Sequence, residues 1–410
     1  MTRHPADDGG PNPTRPSRPE GPIGFDHRPR THVIFGAGCV GRAGELGAEL
    51  GLKRVLLVTD PGVVRAGHAG RVQESLKAAG LEAVLFDRVR ENPTTREVAE
   101  CLAAAREARI DGLVGLGGGS SMDTAKGCNF LYSNGGRMQD YWGVGLAKQP
   151  MLPLLCIPTT AGTGSECQSF ALIADEETHR KMACGDPKAA ARLALLDPEL
   201  TVSQPRHVTA NTGIDAVAHA VETAVTRRRN ELSWLYAREA FVLGRAALPR
   251  TLAEPSDVAA RGRMQWAAAL AGMAIENSML GAAHAAANPL TARYGAVHGM
   301  AVGLMLPHVV RFNTEDPQAR ALYAVLAASA GLAESTTEPR AAAAALVRGI
   351  GDLLDAAGFP RSLEACGARR EDIPALAEDA AVQWTATFNP REIGAADFRA
   401  LYEAAFAPRA

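Results

Sequence analysis

The first half of the chain alternates two kinds of segment, and this alternation constrains the fold more than any other feature. Short apolar runs are separated by stretches rich in Ala, Glu and Arg, and these runs cover residues 31–35, 54–60, 83–87, 112–119 and 152–160. Short strands that alternate with helices are typical of a mostly parallel sheet with helices on both faces. We therefore predict an α/β domain in this half.

The second half has a different pattern. From about residue 205 the chain consists of long segments with helical periodicity and almost no strand signal, over 209–226, 230–251, 257–286, 297–312, 316–331, 339–357 and 371–385. Pro198 and Pro205 bracket the change and mark a linker. We predict an α/β domain over 29–204 and an all-helical domain over 205–410. Residues 1–28, rich in Pro, Gly and charge, are predicted to be a disordered extension.

Composition excludes several classes of partner. The net charge of −2 gives no electrostatic basis for nucleic-acid binding. No apolar run approaches the roughly 18 residues of a membrane span, and the N-terminus lacks the apolar core of a signal peptide. The seven cysteines are scattered without a CxxC pair, which supports neither a disulfide framework nor a thiolate metal site. We therefore expect a cytoplasmic protein with no nucleic-acid and no membrane partner.

Two segments of the second half, 213–222 and 281–299, offer the carboxylate of Asp215 and three imidazoles among apolar residues. Asp215 and His219 are four residues apart, so on a helix they point the same way. His284 and His298 complete a set that suits Fe(II) or Zn(II), with room for a substrate oxygen. A single histidine in such surroundings is more often a core residue. The joint spacing and the Gly-rich segments upstream favour a metal site.

Gly-rich segments offer competing sites for the phosphates of a cofactor. Residues 36–41, GAGCVG, follow a strand and open a helix, and Asp60 ends the next strand, so this segment imitates a dinucleotide fingerprint. Residues 117–126, GGGSSMDTAK, combine three glycines with a helix N-terminus, where free N–H groups favour anions. Residues 158–166, PTTAGTGSE, add hydroxyls. Each segment alone also suits a tight turn, but consecutive strand ends favour phosphate binding at the last two.

These motifs resemble the iron-containing (group III) alcohol dehydrogenases. The resemblance is carried by GGGSSMDTAK, PTTAGTGSE, the run from LLDPEL to HAVE, and HAAANPLTARYGAVHG, and it extends over about residues 30–407. The late segments EDIPALAEDA and NPRE resemble the lactaldehyde reductase / 1,2-propanediol oxidoreductase branch. The resemblance implies a dehydroquinate synthase-like architecture. A dinucleotide-binding α/β domain and a helical metal-binding domain would then hold the nicotinamide and the metal between them.

The resemblance also implies roles for single residues. The family's metal ligands fall on Asp215, His219, His284 and His298. Residues 36–41 have no phosphate role in the family, whereas its cofactor contacts fall on Asn92, Gly118, Gly119, Ser120, Ser121, Thr159, Thr160, Thr163, Lys181, Leu200 and Val202. From its place at a strand end, Asp60 is expected to accept hydrogen bonds from ribose hydroxyls and to repel a 2′-phosphate, which favours NAD(H) over NADP(H).

One departure from the family's pattern concerns Asn288, which stands where the family usually has a second histidine facing the substrate. Asparagine can hydrogen-bond a substrate but cannot shuttle a proton near neutral pH. Because Asn288 is one helical turn from His284, we expect it to face the substrate; the alternative is that it only fills space and bonds the protein. Phe170 and Ile275 either line the pocket or belong to the core.

The predicted function is that of a homodimeric, metal-dependent, NAD(P)-linked alcohol dehydrogenase or aldehyde reductase. Hydride passes between the nicotinamide and a small alcohol or aldehyde held on the metal. Two alternatives stay open at this point. One is a relative on the same fold, such as a maleylacetate reductase, a glycerol dehydrogenase or a 3-dehydroquinate synthase. The other is a non-catalytic nucleotide-binding protein.

Overall fold

A computed structural model describes residues 25–178 and 180–407 of the chain. Most of the predicted N-terminal extension, residues 1–24, lies outside the described residues. Within the described part, the strands precede residue 200 and the long helices dominate after it. No helix in this part combines the length and the apolarity needed to cross a membrane.

Six parallel strands form the main sheet, in the order β1-β9-β6-β4-β2-β3. A three-stranded sheet, in the order β5-β8-β7, lies apart from it. The strands are β1 (His32–Phe35), β2 (Arg54–Val58), β3 (Glu82–Phe86), β4 (Gly112–Gly117), β5 (Gly143–Val144), β6 (Leu154–Pro158), β7 (Phe170–Ala174), β8 (Lys181–Gly185) and β9 (Leu193–Leu196).

Helices cover both faces of the main sheet and then form the second half of the chain. Those of the first half are α1 (Ala43–Glu49), α2 (Pro61–Arg65), α3 (His68–Ala78), α4 (Thr95–Ala108) and α5 (Gly119–Asn134). Those of the second half are α6 (Arg206–Thr223), α7 (Glu231–Ala253), α8 (Val258–Ser278), α9 (Ala282–Tyr294), α10 (His298–Asn313), α11 (Pro317–Ser329), α12 (Pro339–Ala357), α13 (Ile373–Ala381) and α14 (Ala395–Phe406).

The five apolar runs singled out in the sequence all form strands of the main sheet, and the predicted fold class is confirmed. The sixth strand, β9, was not among the predicted apolar runs. The reason is physical: β9 is only four residues long and buried along its whole length, so it shows no alternation of apolar and polar residues. The β7–β8 hairpin was missed as well.

The predicted helix over 257–286 is two helices, α8 and α9. The break falls at Met279, whose φ of 69° lies in the left-handed region. A β-branched or long side chain rarely adopts this conformation inside a helix, so the chain turns there before α9 begins. This break separates the apolar body of α8 from the segment that contains His284.

Separate cores stabilise the two halves. Leu57 and Leu116 pack on one face of the main sheet with Val72 of α3, and the opposite face buries Cys101 of α4 and Met122 of α5. The helices from α6 onward share a large apolar cluster of their own, rich in alanine. Small residues allow close helix packing, so polar side chains placed within this cluster have little freedom to move.

Candidate active site

A cavity of about 1040 Å³ lies between the carboxyl edge of the main sheet and the helices of the second half. The loops that follow β2, β4 and β6 contribute one wall, and α6, α8, α9 and α10 contribute the other. The carboxyl edge of an open parallel sheet is where such folds bind ligands. Most of the site residues predicted from the sequence line this cavity.

The glycine segment between β4 and α5 forms one end of the cavity, where Gly118, Gly119, Ser120 and Ser121 all line it. Gly118 is the N-cap of α5 and has no side chain to bond the first turn, so amide N–H groups of that turn remain available. A Cβ atom on Gly119 would lie 2.8 Å from Thr163 Cγ2. Glycine is therefore required for the close approach of the two loops, and the helix N-terminus offers an anion site.

In the competing glycine segment, residues 36–41, backbone amides are already hydrogen-bonded within the protein. The amide N–H of Gly38 donates to Asp197 Oδ1 at 3.1 Å, and that of Val40 donates to Asp197 Oδ2 at 3.2 Å. An anionic carboxylate thus already satisfies the amides that a phosphate would need. None of residues 36–41 is among the described residues that line the cavity.

Asp60 lies at the end of β2 and has two functions in the local structure. Its Oδ1 accepts from the amide N–H groups of Gly62 at 2.8 Å and Val63 at 3.1 Å, so it caps α2. Asp60 also lines the cavity next to the glycine loop. Oδ1 is thereby committed to the helix, whereas Oδ2 has no hydrogen-bond partner among the described residues and is available to a ligand.

The remaining predicted cofactor contacts divide into two groups. Asn92, Thr159, Thr160, Thr163 and Lys181 line the cavity. Leu200 and Val202 are not among the described residues that line it, and Leu200 is fully buried in a core cluster. Their neighbours Ser203 and Gln204 do line it. The structure therefore brings this segment to the cavity, but through the polar residues that follow the predicted ones.

Two residues that sequence analysis left without a role, Asp123 and Lys126, hold one cavity wall in place. The fully buried Lys126 Nζ donates to Ser165 O at 2.6 Å, Ser165 Oγ at 2.8 Å and Phe170 O at 2.9 Å. Ser165 Oγ in turn donates to Asp123 Oδ1 at 2.6 Å, and the amide of Leu172 donates to Asp123 Oδ2 at 3.2 Å. Their spacing within GGGSSMDTAK is visible in the sequence, but their partners are not.

The four predicted metal ligands converge at the other end of the cavity. Asp215 and His219 lie one turn apart on α6, His284 lies in the first turn of α9, and His298 is the first residue of α10. Asp215 Oδ1 lies 3.3 Å from His219 Nε2, 3.3 Å from His284 Nε2 and 3.8 Å from His298 Nε2. Ligand atoms of Asp215, His284 and His298 all fall within 4.8 Å of one another. Three helices thus bring one oxygen and three nitrogens together.

Burial and mutual charge set the protonation of this cluster. Burial opposes ionisation of Asp215, but His219, His284 and His298 outweigh it and lower its pKa below the ordinary value. Burial also lowers the pKa of His219, and burial together with the Lys181 ammonium lowers the pKa of His298 to about 3. Both imidazoles are therefore neutral near pH 7, which is the form that binds a metal. For His284, burial acts against protonation, but Glu222 and Asp215 raise the pKa of the metal-free imidazole to about 9. A metal that binds Nε2 must therefore displace a proton from this nitrogen, while Nδ1 keeps its own.

Two buried atoms that lack a hydrogen-bond partner in the described part of the chain indicate that the cluster suits a cation. Asp215 Oδ1 and His284 Nε2 are buried and have no hydrogen-bond partner among the described residues. Leaving such atoms unpaired in a buried site is costly. Both can donate a lone pair, and a single cation between them would satisfy both. One carboxylate and three imidazoles are moreover a donor set that suits Fe(II) or Zn(II).

Apolar residues also line the cavity. Phe170, Ile275 and Leu280 are among them, so the first two are pocket residues as well as core residues. Asn288 lies one turn beyond His284 on α9, as its spacing predicts, but it is not among the described residues that line the cavity. Its Nδ2 donates to Gln383 Oε1 at 3.0 Å.

Comparison with known families accounts for nearly the whole chain. Residues 29–198 match the family model described as iron-containing alcohol dehydrogenase. Residues 209–406 match the model described as the C-terminal part of the Fe-containing alcohol dehydrogenase family. The two matches together include the glycine loop after β4 and all four candidate metal ligands.

Individual relatives give the same result. The chain is 38% identical to a choline dehydrogenase of Bacillus subtilis over 92% of this chain and 94% of the relative. It is 34% identical to a lactaldehyde reductase of Escherichia coli over 91% and 97%. It superposes on an alcohol dehydrogenase from Oenococcus oeni with a TM-score of 0.89 and 31% identity, over 93% of this chain and 100% of the other. These matches do not favour the same-fold alternatives or a non-catalytic protein. The chain belongs to the iron-containing alcohol dehydrogenase family and is an NAD(P)-linked alcohol oxidoreductase.

Proposed function

We propose that Asp215, His219, His284 and His298 hold one Fe(II) or Zn(II) ion, and that the enzyme interconverts a small alcohol and its aldehyde at this ion. The observation that carries the proposal is the convergence of these four side chains, with two orphaned lone-pair donors, at one end of a cavity. The glycine loop that opens α5 lies at the other end of the same cavity. A divalent metal and a reduced nicotinamide, when bound, supply Lewis acidity and hydride respectively.

The residues of the chain itself bind and orient the reactants. The amides that open α5, with Ser120 and Ser121, are placed to hold the pyrophosphate of a dinucleotide. The cavity that contains this loop and the metal cluster is also lined by Thr159, Thr160, Thr163 and Lys181, so these residues are candidates for contacts on the nicotinamide side. Lys126 and Asp123 keep the wall from Ser165 to Leu172 fixed while these contacts form.

We infer that the enzyme prefers NAD(H) to NADP(H). The support is the carboxylate of Asp60, which lines the cavity at the end of β2 and commits only Oδ1 to the α2 amides. The second oxygen is free to accept from ribose hydroxyls, and its negative charge disfavours a 2′-phosphate.

The apolar residues of the cavity wall indicate which class of substrate the enzyme accepts. Phe170, Ile275 and Leu280 give the cavity apolar surface, which suits a short alkyl chain better than a charged substituent. The named relatives act on different small alcohols and aldehydes, among them choline and lactaldehyde. We propose a short aliphatic alcohol or aldehyde as the substrate class.

We further propose a homodimer that acts in the cytoplasm. All seven cysteines are free thiols, which fits a reducing compartment. The edge strand β1 ends at Phe35, which is 48% exposed. The centroid of its ring lies 5.8 Å from that of Trp266. An exposed phenylalanine beside a strand edge that no other described strand pairs suits association with a second copy. Sedimentation velocity at micromolar concentration measures the oligomeric state.

Metal content tests the proposed site directly. We expect about one equivalent of metal in the purified enzyme and strongly reduced metal in His284→Ala, with activity near background. His32→Ala is the matched control, because His32 is an exposed histidine on β1 and should keep full metal and activity. Full metal occupancy in His284→Ala would show that the ligand assignment is wrong.

Activity with a panel of short aldehydes and 1,2-diols, measured anaerobically with added Fe(II) and with NADH and NADPH in parallel, tests the substrate class. Turnover of short aliphatic substrates with NADH is the expected result. Turnover confined to an anionic or bulky substrate would contradict the proposed pocket.

A further inference from the structure

A buried carboxylate that belongs neither to the candidate metal ligands nor to the cavity wall is bonded to one of the ligands. Glu222 is 3% exposed and lies on α6, three residues after His219. Its Oε1 accepts from the amide N–H of Ala283 at 2.7 Å and from that of His284 at 3.4 Å. Its Oε2 is hydrogen-bonded to Nδ1 of the His284 ring.

The backbone contacts show that Glu222 caps α9 from a neighbouring helix. The N-cap residue of α9, Gly281, makes no side-chain bond to the first turn. A Cβ atom at position 281 would lie 3.1 Å from Glu222 Oε1, so glycine leaves room for the carboxylate. A carboxylate at this end of a helix satisfies free amides and interacts favourably with the helix dipole.

The ring contact fixes which nitrogen of His284 carries a proton. The carboxylate already accepts from backbone amides through Oε1, and an ionised carboxylate can only accept hydrogen bonds. Nδ1 therefore carries the proton and donates to Oε2. The lone pair available for a metal is then on Nε2, the atom that lies 3.3 Å from Asp215 Oδ1.

We propose that Glu222 is the positioning residue of the metal site: it fixes the orientation and tautomer of His284 so that Nε2 can bind the ion. This inference rests on the proposed metal site. Positions 215, 219 and 222 share one face of α6, so this helix supplies two ligands directly and orients a third on α9. Outer carboxylates of this kind commonly set the affinity of a histidine metal site.

Glu222→Gln separates positioning from capping. The glutamine oxygen can still accept from the amides of Ala283 and His284, so the cap is kept. Its NH₂ group is a donor, however, and Nδ1 of His284 must then accept, which places the ring proton on Nε2. We expect the Kd for Zn²⁺, measured by competition with a fluorescent chelator, to rise about 10- to 100-fold. The Tm of the metal-free protein should stay close to that of the wild type.

Two further variants complete the comparison. Glu222→Asp keeps an acceptor-only carboxylate but shortens its reach, so its Zn²⁺ Kd should lie between those of the wild type and Glu222→Gln. Asp316→Ala removes a capping carboxylate of α11, which accepts from the amide of Ala319 at 2.7 Å outside the cavity. This control should lower the Tm of the metal-free protein and leave the Zn²⁺ Kd unchanged.

A wild-type Zn²⁺ Kd in Glu222→Gln would overturn the inference, and so would an affinity in Glu222→Asp weaker than that in Glu222→Gln. His284→Ala, titrated in parallel, distinguishes this failure from failure of the metal site. If His284→Ala loses Zn²⁺ while Glu222→Gln retains it, only the positioning role is wrong. If His284→Ala also binds with wild-type affinity, the proposed ligand set itself is wrong.

Discussion

Gly164 and Gly272 bring the two halves of the chain into backbone contact. A Cβ atom on Gly272 would lie 2.4 Å from the carbonyl oxygen of Gly164, and one on Gly164 would lie 2.6 Å from Gly272 Cα. Gly164 follows β6 and has a φ of +62°, whereas Gly272 lies within α8. The cavity wall that contains Thr163 and Ser165 is therefore set against α8 by a contact that only glycine permits.

Gly272→Ala should lower the free energy of unfolding by about 1–3 kcal/mol, because the added methyl group overlaps backbone atoms that cannot rotate away. Urea denaturation measures this change. Gly351→Ala is the matched control: Gly351 is also helical, but a Cβ atom there meets nothing within 4 Å. That variant should be neutral or more stable by roughly 0.5–1 kcal/mol. Equal effects in both variants would contradict the close contact.

Gly119→Val should weaken cofactor binding strongly. A side chain at this position overlaps Thr163 and occupies the place where the backbone must approach phosphate. Titration of NADH fluorescence gives the Kd. Gly41→Ala tests the competing segment without backbone strain, since its Cβ atom meets nothing within 4 Å. It should bind NADH normally, and the reverse pattern would move the phosphate site to residues 36–41.

Two substitutions at Asp60 separate its role as the cap of α2 from its proposed role in cofactor preference. Asp60→Asn keeps a capping oxygen for α2 but removes the charge, so the ratio of kcat/KM with NADPH to that with NADH should rise with little change in Tm. Asp60→Gly should raise the same ratio and in addition lower the Tm slightly. A wild-type enzyme that is faster with NADPH at subsaturating cofactor would refute the predicted preference.

Asn288→Ala tests whether this residue faces the substrate. Because its carboxamide donates to Gln383 and it does not line the cavity, we expect lower stability and nearly unchanged relative kcat/KM values across an alcohol panel. Gln383→Ala should have the same effect, since it removes the other partner of the bond. A changed substrate profile in Asn288→Ala alone would support the substrate-facing role suggested by the helical spacing.

Glu166 should make stability depend on pH. Burial raises its pKa from 4.5 to about 7. The folded state therefore binds more protons than the unfolded state between these values, and the free energy of unfolding should fall as pH rises from 4.5 to about 7. The loss attributable to this group is about 3 kcal/mol. Glu166→Gln cannot ionise, so urea denaturation at a series of pH values should show a flatter profile for it. Identical slopes would contradict the assignment.

Local sequence patterns were sufficient to predict part of this structure. Asp215 and His219 could be placed on one helical face from their spacing, and the strand-then-glycine pattern located the loop after β4. Other features depend on long-range contacts. Glu222 and its ring partner are 62 residues apart, and Lys126 and Ser165 are 39 residues apart, so no local period indicates either pair. The 36–41 segment has the sequence of a phosphate loop, but its amides donate to the carboxylate of Asp197. This partner lies up to 159 residues further along the chain, so the local pattern does not reveal it.

The candidate cofactor site and the candidate metal site are built from different halves of the chain, and this separation affects how substitutions at the two sites combine. The candidate metal ligands come from α6, α9 and α10, whereas the candidate phosphate loop and Asp60 follow strands of the main sheet. Among the described residues, no hydrogen bond joins the 118–121 loop to one of the four ligands. Free-energy changes at such independent sites are approximately additive. Substitutions that change cofactor preference can therefore accumulate without changing metal affinity, and the reverse also holds. Lys181 is the exception, because it is a candidate cofactor contact and its charge also lowers the pKa of His298.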